Sequence, residues 1–449
     1  MAEHEMSRRG FLEKTGVALA ATAVGMTAKS YARVLGANDR INIGLLGCGS
    51  RSRGHRRMVK MSEKDMNLRI SAVCDIWKIN RQRAADDVKQ KFGYTPKMFK
   101  YSEDMLAMPD LDAVMIATGD HQHAKLLAQV VQAGKDCYCE KPMANTLEDA
   151  KLARDAVLNS DQVVQMGSQW VSDPYQHKVR EIIRSGKLGQ ITKIEQVWNY
   201  NGHRWHNPND PDIKMIREED TDWVRWLLGR PYIPFDPQVY FEFRIYREFS
   251  GGITDQWMSH AIGLVNFYMD ADFPTSMVAN GGIFAWHDTR QNPDTFQALA
   301  TYDDKQFLYS YSTSFGNGYG SYTRIMGKEG TLVAQGGEGS PRWFFFREGK
   351  DSFDPNLGLS KEALRKGELI TLPGHEGEIP PTHQSDDSKY HLDNWITHIR
   401  SRDKWTNGHI YTGYWHSVGI IMATRAYREG KKLYWDREKE EIVDTPVRS

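Results

Sequence analysis

From Ile41 onward the apolar positions follow two rhythms. Short, nearly unbroken apolar runs, one opening at Ile41 and others at Leu68–Cys74, Leu111–Thr118, Asp136–Glu140 and Gln162–Met166, read as strands buried on both faces. Between them, helical patterns run from about His121 to Gln132 and from Thr146 to Leu158. Thr146 followed three residues later by Asp149 is a helix-start signature of the capping-box kind. Strands alternating with helices of this length predict a parallel sheet covered on both sides. Ligands are expected at the carboxyl ends of its strands.

The second half reads differently. Gln190–Tyr200, Pro274–Trp286, Phe296–Tyr302, Phe307–Ser314 and Tyr322–Ala334 are strand-like, rich in Val, Ile, Thr and aromatics, with Gly- and Asp-containing turns. Helical patterns return at Ser388–Arg400 and Thr412–Glu429, and the Gly-, Pro- and charge-rich stretch Leu357–His383 reads as a long surface loop. No internal repeat interrupts this order.

Composition narrows the function classes. The 449 residues suffice for two or three domains, and 58 basic against 58 acidic side chains give no general field for nucleic acid or anionic lipid. No apolar run of about 18 residues follows residue 36, so no membrane span is expected in the mature chain. Cys48, Cys74, Cys137 and Cys139 form no C-x-x-C pair, which predicts reduced, buried thiols and no structural metal. Of 13 tryptophans, six fall between Trp170 and Trp257, a density that suits either stacking on sugar rings or core packing.

The N-terminus carries its own signal. Ser7-Arg8-Arg9-Gly10-Phe11-Leu12 precedes an uncharged, Ala- and Gly-rich run from Thr15 to Ala28, the pattern of a twin-arginine (Tat) export signal. Residues 1–36 are therefore expected to be a leader read by the Tat export machinery, with a periplasmic or otherwise exported destination. That route carries folded proteins, which hints at a cofactor enclosed before export.

The first strand runs directly into Gly47-Cys48-Gly49-Ser50-Arg51-Ser52-Arg53-Gly54. Gly47 permits a tight turn, and Gly49 lets the backbone approach a pyrophosphate at the positive end of the next helix, beside Ser50 and Arg51. Ser52 occupies the third position of G-x-G-x-x-G, so the match is imperfect. The second strand ends in Asp75, where a carboxylate can accept both ribose hydroxyls of an adenosine, favouring NAD over NADP. Two later strand ends, Thr118-Gly119-Asp120-His121-Gln122-His123 and Glu140-Lys141-Pro142, bring polar chemistry to the same crevice.

On these residues, and above all on Cys139-Glu140-Lys141-Pro142, the sequence resembles the glucose-fructose oxidoreductase / inositol dehydrogenase (Gfo/Idh/MocA) family from Ile41 to about Asp436. The resemblance implies an α/β N-terminal Rossmann domain and a C-terminal α+β domain with an open, mostly antiparallel sheet that carries the substrate site and often the oligomer interface. The expected division is 37–160 for NAD(P) and 161–449 for substrate binding and homo-oligomerisation. It further implies that Lys141 meets both nicotinamide and substrate, and that Thr118 and His121 line the cofactor.

Ser250–His260 resembles the family's G-G-x-x-x-D-x-x-x-H-x-x-D segment but departs from it: Gln256 holds the aspartate position, Asp255 sits one place earlier, and Gly263 replaces the later aspartate. On an α-helix, residues four apart share a face about 40° off, whereas five apart diverge by about 140°. Asp255 can partner His260 only if the segment's start is not regular helix.

The expected chemistry is hydride transfer between a tightly bound nicotinamide cofactor and a secondary alcohol of a sugar, polyol or glycoside. His260 is the expected base or acid, Lys141 the proton relay and electrostatic stabiliser, Asp255 the orienting group and Glu140 a positioning group. Gln169 and Trp170 are expected beside the nicotinamide, and Tyr246, Arg247, His203 and His206 in the substrate pocket. Two alternatives remain: an NAD-dependent glycosidase that oxidises, eliminates and reduces again, and a non-catalytic exported sugar-binding protein.

Overall fold

The computed structural model describes residues 39–335, 342–349, 367–374, 376 and 387–447. The expected leader and most of the expected loop 357–383 lie outside the described residues. Within that loop stretch, Glu368–Leu369 form a short edge strand.

Six apolar strands make the first sheet: β1 (Ile41–Leu46), β2 (Leu68–Cys74), β3 (Lys97–Phe99), β4 (Ala113–Ile116), β5 (Asp136–Cys139) and β6 (Val164–Met166). Every pairing is parallel and the order is β3-β2-β1-β4-β5-β6. This is the doubly wound order whose strand sequence reverses between β1 and β4, opening a crevice at their carboxyl ends. The expected fourth strand is shorter than its apolar run because the chain turns at Ala117, whose N–H still bonds the Leu46 carbonyl. Thr146 does cap the helix Leu147–Leu158, accepting the Asp149 N–H at 3.2 Å.

The expected domain boundary at residue 160 needs correction on two counts. β6 pairs with β5 and so completes the first sheet beyond that boundary. The helix Asp387–Ser401 also returns from the far end of the chain to this sheet. Its Leu392, Trp395, Ile396 and Ile399 are buried with Ile43, Ile70, Met115 and Tyr138, because an all-parallel sheet needs both apolar faces covered.

The second sheet has ten strands. They are β7 (Ile191–Val197), β9 (Ser276–Gly282), β10 (Thr295–Tyr302), β11 (Phe307–Ser314), β13 (Tyr322–Gly327), β14 (Gly330–Gln335), β15 (Trp343–Arg347), β16 (Glu368–Leu369), β17 (Leu433–Asp436) and β18 (Glu441–Val443). β8 (Tyr200–Asn201) and β12 (Gly316–Asn317) form a separate small ladder. The sheet runs β16-β15-β14-β13-β7-β11-β10-β9-β17-β18 and is antiparallel except where β7 meets β11. The single strand expected over Tyr322–Ala334 is a hairpin, broken at Lys328-Glu329, whose N–H groups bond Gln190 and Leu188 carbonyls. Alternating burial along β10 and β11 turns one face inward, against the helices Ser259–Met269 and Ile410–Glu429. All four cysteines are free and buried, as expected.

Candidate active site

A cavity of about 740 Å³ begins at the glycine turn and runs past Asp75, Thr118 and Gly119 toward His203, Trp205 and Arg244. Gly47 has φ +84°, and a Cβ there would lie 2.5 Å from the Ala117 carbonyl oxygen, so only glycine fits. Gly49, by contrast, has only the Asn80 side chain within 4 Å of an added Cβ. It caps the helix Ser50–Ser62 with no side-chain hydrogen bond, which leaves that helix end open to an anion. Asp75 is held from both sides: Oδ2 accepts the Cys48 N–H at 2.7 Å and Oδ1 the Trp77 N–H at 2.8 Å. Burial raises its carboxyl above the usual range despite these bonds. On the same wall, Thr118 Oγ1 is buried with no protein partner. An orphaned hydroxyl, an uncapped helix end and a carboxylate along one cavity of this size fit a dinucleotide.

Glu140 is the tether of the crevice floor. Its Oε1 accepts Arg51 Nε at 2.6 Å, His55 Nε2 at 2.9 Å and Gln169 Nε2 at 3.3 Å, and although burial opposes it, the Arg51 charge with the His55 hydrogen bond holds its carboxyl well below the ordinary carboxylate range. It thereby fixes the first turns of the helix that carries the glycine loop against the end of β5. Glycine at 167 is required here, since a Cβ would meet Glu140 Cδ at 2.8 Å.

Lys141, the next residue, is built the opposite way. Its Nζ donates one hydrogen bond, to the Gln256 carbonyl at 2.7 Å. Burial lowers its pKa to about 8, with Asp120 and Glu140 opposing the shift. His260 stacks on Trp170 at 4.5 Å between ring centroids, and burial followed by the Lys141 charge keeps its ring neutral well below the ordinary histidine range. Asp255 accepts the Gly251 N–H at 2.6 Å, and burial plus the nearby Asp120 push its carboxyl up to about 7.

The segment that departs from the family spacing is irregular. Thr254–Met258 is a π-helix, and the Ser259 N–H reaches back five residues to the Thr254 carbonyl before regular α-helix begins at Ser259. One extra residue in the turn moves Asp255 toward the face that an α-helical position four before His260 would occupy. No hydrogen bond joins Asp255 to His260, however. The side chain that ties the site together is Gln256, which donates from Nε2 to Asp120 Oδ2 at 2.5 Å, accepts Arg244 Nε at 3.1 Å on Oε1, and offers its backbone carbonyl to Lys141. Asp120 also accepts Ser250 Oγ at 2.7 Å. Asp120, Arg244 and Gln256 were not among the expected site residues. Asp120 stands inside the same strand-end stretch as Thr118 and His121, and Gln256 at the altered motif position, so both signals were present in the sequence.

Other expectations sort by placement. Ser50, Arg51, Thr118, His203 and His206 line the cavity. His121 lies behind the wall, its Nε2 donating to the Trp226 carbonyl at 2.9 Å and its ring packed on Trp226 and Phe249. Gln169 turns to Glu140 and to Tyr138, whose hydroxyl it meets at 2.9 Å, while Trp170 reaches His260. Tyr246 and Arg247 do not line this cavity: Tyr246 packs in an apolar cluster with Trp223, Trp226 and Phe249, and Arg247 bonds Gln291. His206 Nδ1 is 2.8 Å from Glu242 Oε2 and His203 Nδ1 3.5 Å from Asp288 Oδ2, and no metal-binding group of three or more such residues occurs among the described residues.

Residues 41–168 match the model of the oxidoreductase family with an NAD-binding Rossmann fold, Gfo/Idh/MocA. Inositol 2-dehydrogenase 2 of Saccharopolyspora erythraea is 27% identical over 194 residues, 43% of this chain and 55% of that protein. Inositol 2-dehydrogenase of Agrobacterium fabrum is 27% identical over 201 residues, covering 43% and 56% respectively. The chain thus spans about half the length of the curated relatives it matches. Among solved structures, levoglucosan dehydrogenase in complex with NADH and levoglucosan superposes with TM-score 0.62 at 17% identity, covering 91% of this chain and all of that one. The WlbA dehydrogenase of Bordetella pertussis, in complex with NADH and UDP-GlcNAcA, superposes with TM-score 0.61 at 19% identity over 88% of this chain and 98% of its own. At such identities the superpositions establish the shared two-domain fold. The family match thus falls on residues 41–168, the stretch that builds the six-stranded parallel sheet and the glycine turn.

Proposed function

We propose that this protein is an NAD-dependent dehydrogenase of a sugar, polyol or glycoside. The observation that carries the reading is one continuous arrangement: a dinucleotide-sized cavity with a glycine turn and Asp75 at one end, joined at Arg244 through Gln256 to the buried Lys141 at the other. NAD is favoured over NADP because Asp75 already presents a buried acceptor where a 2′-phosphate would bring a second negative charge. The bound cofactor supplies a hydride acceptor, and the chain's own groups handle the proton. His260, neutral at physiological pH, is positioned to accept the hydroxyl proton. Lys141 steadies the developing alkoxide and relays that proton onward. Asp255 and Asp120 supply negative charge beside Lys141, and Trp205, which lines the cavity with Arg244, offers an apolar face for a sugar ring.

Inositol and levoglucosan dehydrogenases among the relatives and structural neighbours support an alcohol on a ring as the substrate. The exported destination rests on the Arg8-Arg9 leader alone, tight cofactor retention follows from it, and homo-oligomerisation from the open second sheet. The deciding experiment denatures the purified protein, identifies any released nucleotide, and then follows NADH formation with a panel of sugars and inositols. NAD release together with substrate-dependent NADH formation is expected. Turnover of an aryl glycoside without net NADH would replace this reading with the redox-assisted glycosidase, and absence of any nucleotide site would leave only sugar binding.

A further inference from the structure

Although the chain carries no net charge, cations gather at the reaction end on two consecutive residues of the π-helical turn. Gln256 holds Lys141 by its carbonyl and Arg244 by its side-chain oxygen. Trp257 carries the guanidinium of Arg204 over its ring, 5.7 Å from the centroid, and Arg204 also lies 5.8 Å from Trp205 and 5.6 Å from Tyr200. Burial lowers the pKa of Arg244; the Asp120 charge opposes that shift and the nearby Arg204 charge adds to it. Most buried or half-buried arginines of this protein are neutralised: Arg51 by Glu140, Arg56 by Asp87, Arg154 by Glu440 and Arg290 by Asp288. Arg244 and Arg204 form no ion pair with a carboxylate among the described residues. Arg244 lines the cavity and uses only Nε in a hydrogen bond, which leaves the outer edge of its fork without a protein hydrogen bond among the described residues. The carboxylate in this group, Asp120, has Oδ2 engaged by Ser250 and Gln256.

A pyrophosphate does not account for this pair. Its place is at the opposite end, at the uncapped start of the helix Ser50–Ser62, whereas Arg244 is tied through one glutamine to Lys141. We infer that Arg244, with Arg204 beside it, forms a carboxylate subsite, and that the substrate is an acidic sugar whose ring lies against Trp205 in the same cavity wall and whose carboxylate takes the open fork of Arg244. This rests on the dehydrogenase reading above and narrows it. A planar guanidinium matches a carboxylate with two parallel hydrogen bonds, and the aromatic wall supplies the apolar complement to the pyranose face.

The test uses the full chain with NAD bound and reads tryptophan fluorescence as sugars are added, so that binding is measured apart from turnover. D-Glucuronate and D-galacturonate are compared with D-glucose, D-galactose and D-glucose 6-phosphate. The uronates should bind more tightly than their neutral counterparts by on the order of 10- to 100-fold, the worth of a hydrogen bond to a charged group. The preference should shrink with rising salt. Arg244→Gln should remove most of it, Arg244→Lys should restore part, and the exposed Arg204→Gln should reduce it more modestly. Equal affinity for uronates and neutral sugars, or tighter binding of the 6-phosphate than of either uronate, would overturn the subsite. Neutral sugars oxidised as well as uronates would sink this inference and leave the dehydrogenase reading intact. Uronate binding without any NADH formation would do the reverse.

Discussion

Glu140 and Lys141 are adjacent in the chain, the first buried and the second half-buried, and treated in opposite ways. Glu140 faces the nucleotide end with three donors on one oxygen, so its charge is locked on and its carboxyl pKa is pulled down. Lys141 faces the reaction end with one backbone carbonyl, so burial dominates and its pKa falls to about 8. The same contrast runs through the rest of the crevice. Asp75 is braced by two backbone N–H groups, whereas Asp255 has one and titrates near 7. A buried charge with its full set of partners is scaffold. One that is partly satisfied changes protonation near neutral pH, which is what proton transfer needs.

The strongest way to break this comparison is to remove its reactive member. Lys141→Ala should lower kcat for sugar oxidation by roughly 10²–10⁴-fold, the usual worth of a positioned acid or base, while calorimetry finds NAD binding little changed. Wild-type turnover would refute the role. Glu140→Gln should do the converse. It leaves the buried His55 and the half-exposed Arg51 without their carboxylate, and urea unfolding should report a loss of about 1–3 kcal/mol. If Glu140→Gln were as stable as the parent and merely slow, Glu140 would be a reacting group and the contrast would fail.

The two ends were unequally legible in the sequence. At the nucleotide end the signals are local: an apolar strand, a glycine turn and a terminal aspartate follow one another, and backbone conformation at Gly47 leaves a mark on residue type. At the reaction end the partners come from distant segments. Asp120, Arg244 and Gln256 meet only when the π-helical turn is folded against the end of β4. Spacing alone flagged Asp255 as displaced, yet could not supply the extra residue in the turn that accommodates it. The tryptophans show the same limit. Trp223 and Trp226 stack on each other at 4.8 Å within a buried apolar cluster, whereas Trp170, Trp198 and Trp257 run in contact beside His260. Both groups have the same local sequence character, and only tertiary packing separates the cluster around Phe249 from the one beside His260. Tyr246 and Arg247 show a related limit: they lie off this cavity, and Arg244, earlier in the same segment, is a member that lines it.

Smaller effects sharpen the contrast. Asp75→Ala should weaken NAD by on the order of tenfold and NADP by less, because the lost acceptor serves the free 2′-hydroxyl. Titration of each nucleotide by fluorescence measures this, and an unchanged preference would count against the ribose assignment.

The finest test concerns the carboxylate opposite Lys141. If neutral Lys141 is needed to pass on the substrate proton, kcat for oxidation should rise with pH through about 8, since the amine is protonated below that value and free above it. Asp120 is the strongest of the neighbours that hold the proton on Lys141, ahead of Glu140. Asp120→Asn keeps the size of the side chain and an acceptor oxygen for Ser250 and Gln256 but removes the charge. The amine should then lose its proton more readily, and the midpoint of the profile should move to lower pH, further than in Glu140→Gln. A purely structural role would change the height of the curve and leave its midpoint in place. A midpoint that moved upward would fit neither Lys141 nor Asp255, since loss of the Asp120 charge lowers the pKa of both, and the proton-transfer role of this cluster would be overturned.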